Sequence, residues 1–144
     1  MENKPVKADN FCIDTPIDMS YANENMGFPM PKFLDFLIKF EDTTMMSLLQ
    51  QIKEAVEQRD FTTLKSVVHQ MKGASSYIAA SHIHYTCYFI QFHYEAKKYH
   101  RMLAYYPRLI EACVQYRIFY RELLNKHDRK CWAKCSQIFL FNSI

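Results

Sequence analysis

The chain has 144 residues, 49% hydrophobic and 23% charged, with a formal net charge of +3, the composition of one ordinary globular domain. So mild a charge, with Lys and Arg gathered into no block, argues against nucleic acid as a partner, and there is no run of about 18 apolar residues to span a membrane. Five cysteines at wide spacing make a poor disulfide framework; with the polar, leaderless opening Met1-Glu2-Asn3-Lys4-Pro5 they read as thiols of a reducing intracellular compartment.

Only two glycines occur, Gly27 and Gly73, where roughly ten would be average. Four of the five prolines lie at or before Pro31. A chain so poor in turn formers should be mainly helical. Residues 1–30 read as an irregular arm in which Ile17 and Met19 dock a short helical turn onto the core. Pro31 suits the first turn of a helix, and Phe33, Leu37, Phe40, Leu48, Ile52 and Val56 continue it to Gln58, with Thr44 interrupting the stripe. Asp60 is a good N-cap for the next helix, whose buried stripe is Phe61, Leu64, Val68, Met71, Ser75 and Ile78.

A third helix should run over 81–97 on Ile83, Cys87, Ile90 and Tyr94. Tyr88, Phe89 and Phe92 widen its apolar face, so it lies deep in a bundle or carries an exposed patch. We read most of these aromatics as core and some of them, with apolar residues of the first helix, as a docking patch. A fourth helix, 99–126, carries Leu103, Tyr106, Ile110, Cys113, Tyr116, Tyr120 and Leu123 in phase, and Pro107 should kink or divide it. Residues 127–144 form a mixed tail whose run Ile138-Phe139-Leu140-Phe141 should pack on the body. The expected fold is all-α: an antiparallel four-helix bundle over 31–126, with an N-terminal arm or short helix (1–30) and a C-terminal tail (127–144).

At about 3.6 residues per turn, His69 points roughly 130° away from the buried stripe of the second helix. Thr62, Lys65, Ser66, Lys72, Gly73 and Ser76 surround it, a small polar face shaped for docking. Gly73 is the telling residue. A mid-helix glycine costs about 1 kcal/mol relative to alanine, and its use here implies a close approach to the backbone.

His69, Lys72, Gly73, Ser75 and Ser76 resemble the signature of histidine-containing phosphotransfer (HPt) domains, H-x-x-K-G-S/A-S followed by an apolar residue, a glycine and a small residue; Ile78, Ala79 and Ala80 take those last places. Cys87 falls in register with a cysteine the family tends to place on the next helix, and Gln91 matches a glutamine that contacts the histidine in some eukaryotic members. The departure is Ala79 for the family glycine, which we read as bearing on helix spacing. The resemblance, to the eukaryotic stand-alone type, implies a cytoplasmic and also nuclear, monomeric phosphocarrier. His69 would accept a phosphoryl group from one receiver-domain aspartate and pass it to another. The partners implied are the receiver domains of hybrid sensor histidine kinases and of response regulators. No cofactor of its own is implied, since the divalent metal belongs to the receiver.

The residues suit that chemistry. A neutral imidazole is a fair nucleophile, and the side-chain oxygen of Gln91 is the candidate acceptor for Nδ1–H. Lys72, one turn on, can offset phosphoryl charge. No nucleotide-binding loop is visible, so no kinase activity is expected. His82, His84, His93 and His100 do not make a tight metal-ligand set, Cys131 and Cys135 read as free thiols, and Cys87 and Cys113 as small core residues. The alternative is a helical adaptor that binds receivers or kinases without carrying phosphate; His69 argues against it.

Overall fold

The structure, a computed structural model, describes the backbone of residues 11–27 and 29–143 and the side chains of 11–27 and 29–127. The described residues form helices and no strand: α1 Met19–Asn25, α2 Met30–Lys39, a π-helical turn Phe40–Met45, α3 Met46–Gln58, α4 Phe61–Ser76, α5 Ser81–Glu95, α6 Tyr99–Ala104 and α7 Tyr106–Ser143. The α2–π–α3 rod, α4, α5 and α7 are the four long members of the expected all-α bundle. The α4 helix lies between α3 and α5, and α5 packs in turn on α6 and α7. The core is continuous, from Phe33, Leu37 and Ile52 through Val68, Met71, Ile83 and Ile90 to Leu109 and Tyr116.

The first long rod is continuous but not uniform. Its apolar stripe meets Thr44 where a residue should turn inward. The wide π turn places one more residue in that turn, so Met45 takes the buried position and Thr44 stays half-buried. The same turn buries Glu41, whose carboxylate meets the Arg117 Nε at 2.5 Å, the Arg121 guanidinium at 3.6 Å and the Tyr120 hydroxyl. Tyr116 donates its hydroxyl to the Leu37 carbonyl at 2.7 Å, just ahead of the turn. Burial, with Glu41 beside them, pushes both phenols up from the usual tyrosine range, which keeps them neutral donors. These contacts lock α7 onto the rod.

The break expected near Pro107 divides the fourth helix at Tyr105. Pro107 then occupies the first turn of α7, where its missing N–H has no partner to lose. Contrary to expectation, α7 does not end at Lys126 and residues 127–143 are not a mixed tail. The backbone is helical to Ser143, and no Gly or Pro after Pro107 could stop it. The packing expected of Ile138–Phe141, the thiols of Cys131 and Cys135, and residues 1–10 of the arm lie outside the described residues.

The arm behaves as a strap. Ile17 is fully buried and α1 follows it, as expected of the short helical turn. Asp18 caps α1 through Tyr21 N (2.9 Å) and accepts from Cys12 N (2.7 Å), while its own N–H reaches Ala79 O at 2.9 Å. Ser81 Oγ donates to Thr15 O at 2.8 Å, and the His82 ring meets Ile13 O at 2.7 Å. All of these fasten the arm to the α4–α5 corner.

Three helices end in the same way, and none uses glycine. Arg59, Ala79 and Lys97 have φ of 56°, 55° and 59°, the left-handed residue of a Schellman motif. At each, two backbone bonds close the helix: Arg59 N to Val56 O and Asp60 N to Ala55 O; Ala79 N to Ser76 O and Ala80 N to Ser75 O; Lys97 N to Tyr94 O and Lys98 N to His93 O. Ala79, read from sequence as a matter of helix spacing, therefore departs from glycine at a backbone position that prefers it. Each such residue carries about 1 kcal/mol of backbone strain.

Two outcomes are expected. Lys97→Gly, exposed and free of packing loss, should raise unfolding free energy by roughly 0.5–1 kcal/mol; an unchanged denaturant midpoint would contradict the cap. Glu41→Ala should cost about 2 kcal/mol by the same measurement, less than for a fully buried pair because the two arginines reach solvent.

Candidate functional site

Asp60 caps α4 by accepting from Thr63 N at 3.2 Å, as its position suggested. From there the helix buries Leu64, Val67, Val68, Met71 and Ser75 and leaves His69 exposed on the opposite face. Thr62, Ser66 and Gly73 are exposed beside it, while Ser76 and Lys65 are half-buried. Lys65 leans over the Tyr94 ring at 5.9 Å from its centroid. The small polar face anticipated around His69 is thus formed.

Gly73 has ordinary helical backbone, and a Cβ built on it would meet nothing within 4 Å. Among the described residues, no atom requires a glycine there. One turn beyond stands Tyr77, 79% exposed. His69, Gly73 and Tyr77 are spaced i, i+4, i+8, so the glycine leaves a notch in a helical row between two rings. The sequence reading passed over Tyr77.

Gln91 of α5 reaches His69 as expected, but with the other end of its amide. Its Nε2 lies 3.2 Å from Nδ1 of His69, and its Oε1 is buried without a partner. In this orientation the amide donates to Nδ1, which places the imidazole proton on Nε2. Half a turn about the terminal torsion exchanges the two amide atoms. Oε1 then accepts from Nδ1–H, gains the partner it lacks and leaves the Nε2 lone pair unprotonated.

Lys72 is half-buried, its ammonium 6.0 Å from the centroid of the Tyr88 ring. Its carbonyl accepts from Ser75 Oγ at 3.0 Å and faces Nδ1 of the buried His84 at 3.0 Å. Ser76 Oγ donates to Gly73 O at 2.6 Å. Both serines therefore close the helix backbone and bring no hydroxyl to His69. Cys87 is fully buried, and loss of solvation pushes its thiol well up from the ordinary value, so it packs as a neutral thiol.

The aromatics of α5 correct the expectation that they are mostly core. Tyr85, Tyr88 and Phe89 are half-buried and Phe92 is 50% exposed. They form a ladder on the surface, with Tyr85–Phe89 stacked at 5.1 Å, Tyr88–Phe89 edge-on at 5.0 Å and Tyr88–Phe92 at 6.2 Å. The histidines that might have suggested a metal are apart: His82 meets the arm, His84 meets Phe11 and the Lys72 carbonyl, and His93 packs on Tyr105. Among the described residues no group of three His, Cys, Asp or Glu could hold a metal ion, and no helix is long and apolar enough to cross a membrane.

His84 and Tyr88 were missed as members of the site. Their signal was spacing: residues 84, 88 and 91 fall at i, i+4 and i+7, one column on the face turned to α4.

The Hpt domain family model matches residues 36–115. No curated protein and no solved structure matches the chain. The matched span runs from α2 into the first third of α7 and contains every candidate site residue described above.

Gly73→Ala should raise unfolding free energy by about 1 kcal/mol, since the added methyl meets open space and helix propensity improves. A loss of stability would show that the glycine serves the fold.

Proposed function

We infer that this chain, which belongs to the Hpt domain family and so takes part in phosphorelay histidine phosphotransfer, carries the phosphoryl group on His69. The observation that bears most weight is the contact between Gln91 and Nδ1. It ties down an exposed imidazole by one nitrogen and, with the amide turned so that Oε1 faces Nδ1–H, leaves the other, Nε2, to react.

With Oε1 of Gln91 accepting from Nδ1–H, the Nε2 lone pair attacks the phosphorus of a receiver's aspartyl phosphate. The P–N bond forms as the bond to the aspartate oxygen breaks, and the carboxylate leaves. In the second transfer a carboxylate oxygen of another receiver attacks the same phosphorus, the P–N bond breaks, and Nε2 regains its lone pair. The Nδ1 proton stays in place throughout, so no proton has to be exchanged. Gln91 therefore acts on the tautomer and ring orientation rather than on the phosphate.

Lys72 draws the phosphoryl oxygens by charge. Gly73 leaves room for the receiver's site beside His69, with Thr62, Lys65, Ser66 and Ser76 as the polar contact surface. Such a reaction rests on positioning and charge stabilisation. The chain contributes nucleophile and lysine; the divalent cation expected at the receiver's aspartate supplies the remaining neutralisation. Hybrid-kinase receivers as donors and response-regulator receivers as acceptors are the partners we assign.

Incubation with a phosphorylated receiver should give acid-labile label on the wild type and none on His69→Gln, which keeps its helical circular dichroism. Label persisting on the variant would sink the assignment. A chain that bound phosphorylated receivers yet took no label would be an adaptor instead. Replacing Gly73 by Leu should slow transfer at least tenfold with little loss of stability, and a normal transfer rate would remove the access argument.

A further inference from the structure

The column His84, Tyr88 and Gln91 meets α4 at three successive points. Gln91 holds the imidazole of His69 and His84 faces the Lys72 carbonyl. Between them Tyr88 presents its ring to the Lys72 ammonium. On the reading of His69 as the phosphoryl carrier, we propose that Tyr88 is the positioning residue of Lys72: its ring keeps the ammonium beside the imidazole, where the phosphoryl oxygens arrive.

A lysine head on a flexible four-carbon stem has no defined place unless something holds it. Here the backbone at Lys72 is held by Ser75 and faces His84, and the tip lies over an aromatic face at the outer reach of a cation–π contact. The ring itself is flanked by Tyr85, Phe89 and Phe92, at 6.4, 5.0 and 6.2 Å between centroids. The exposed aromatic ladder thereby has a use besides surface contact.

The choice of a ring follows from the charge of the incoming group. A carboxylate at position 88 would hold lysine more strongly, but it would cancel the positive charge and repel the phosphoryl oxygens. A ring attracts the ammonium through its quadrupole and carries no net charge. It can therefore keep the cation in place while leaving its charge to act on an anion.

The test measures transfer from a phosphorylated receiver over a range of receiver concentrations, separating the saturating rate from the half-saturating concentration. Tyr88→Phe, which keeps the ring, should stay within about twofold of the wild type, and Tyr88→Leu should lose roughly five- to tenfold in saturating rate. The half-saturating concentration should barely move. In a Lys72→Ala background Tyr88→Leu should cause no further loss. A wild-type rate in Tyr88→Leu, a loss confined to the half-saturating concentration, or a full loss in the Lys72→Ala background would each overturn the proposal.

The Lys72 Hε protons give a readout that needs no transfer. Their NMR signals should be shifted upfield by the ring in the wild type and in Tyr88→Phe. Unshifted Lys72 signals in the folded wild type would overturn the proposal even if Tyr88→Leu failed to fold. Wild-type protein that takes no label would bring down the His69 assignment and this proposal together; normal labelling with an unaffected Tyr88→Leu would bring down only the second.

Discussion

The seam between α4 and α5 decides where every side chain of the site stands. Val68, Met71 and Ser75 of one helix and Ile83, Cys87 and Ile90 of the other are all buried, and the two helices pack on each other. Each large apolar side chain in such a seam contributes about 2 kcal/mol by leaving water. Ser75 and Cys87 are small, so they widen the seam least. With the two helices held in this register, His69 and Lys72 on the rim of α4 lie alongside Gln91 and Tyr88 on the rim of α5, with His84 buried below them. Imidazole, ammonium and carbonyl each meet a side chain from the neighbouring helix. An isolated α4 would carry the same residues with none of these contacts.

The placement of glycine shows which demands on the backbone are internal and which come from outside. At Arg59, Ala79 and Lys97 the chain needs a left-handed residue and does without glycine. At Gly73 the backbone is ordinary helix, nothing crowds an added methyl, and glycine is present. Stability alone would favour the reverse arrangement, since glycine relieves strain at a helix end and weakens a helix interior. What separates the two places is exposure next to His69. A partner that comes against the helix there needs the space a side chain would fill, which is why we take the notch between His69 and Tyr77 as the point of approach.

The remainder of the fold holds that seam in place. On one side the π turn brings Glu41 inward to Arg117, Arg121 and Tyr120, fastening the first rod to α7. At the α4–α5 corner the arm caps Ala79 O with Asp18 N–H and ties Ser81 and His82 to Thr15 and Ile13. Neither set of contacts touches His69. Both limit how α4 and α5 could shift against their neighbours, and the hydrogen-bond contacts of the site, at 3.0 and 3.2 Å, leave little room for such a shift.

Much of this was legible before any fold was known, because it depends on period and on local chemistry. Scarce glycine and proline, the 3.6-residue stripes, the Asp60 cap and the division at Pro107 each follow from the chain's own neighbours. The outward direction of His69 and the open place at Gly73 follow from them too. The π turn at Thr44, the burial of Glu41 and the left-handed turn at Ala79 did not, since each answers to a helix or strap distant in sequence. Nor did the extension of α7 past Lys126, although the absence of Gly and Pro there was a readable sign. That the Tyr88 ring lies beside the Lys72 ammonium was settled only when α5 lay against α4. By itself the sequence determined which residues face outward from each helix, because that is a property of one helix and its period. Tertiary structure alone decided which of those residues touch, because contact depends on the register of two helices that no local pattern encodes.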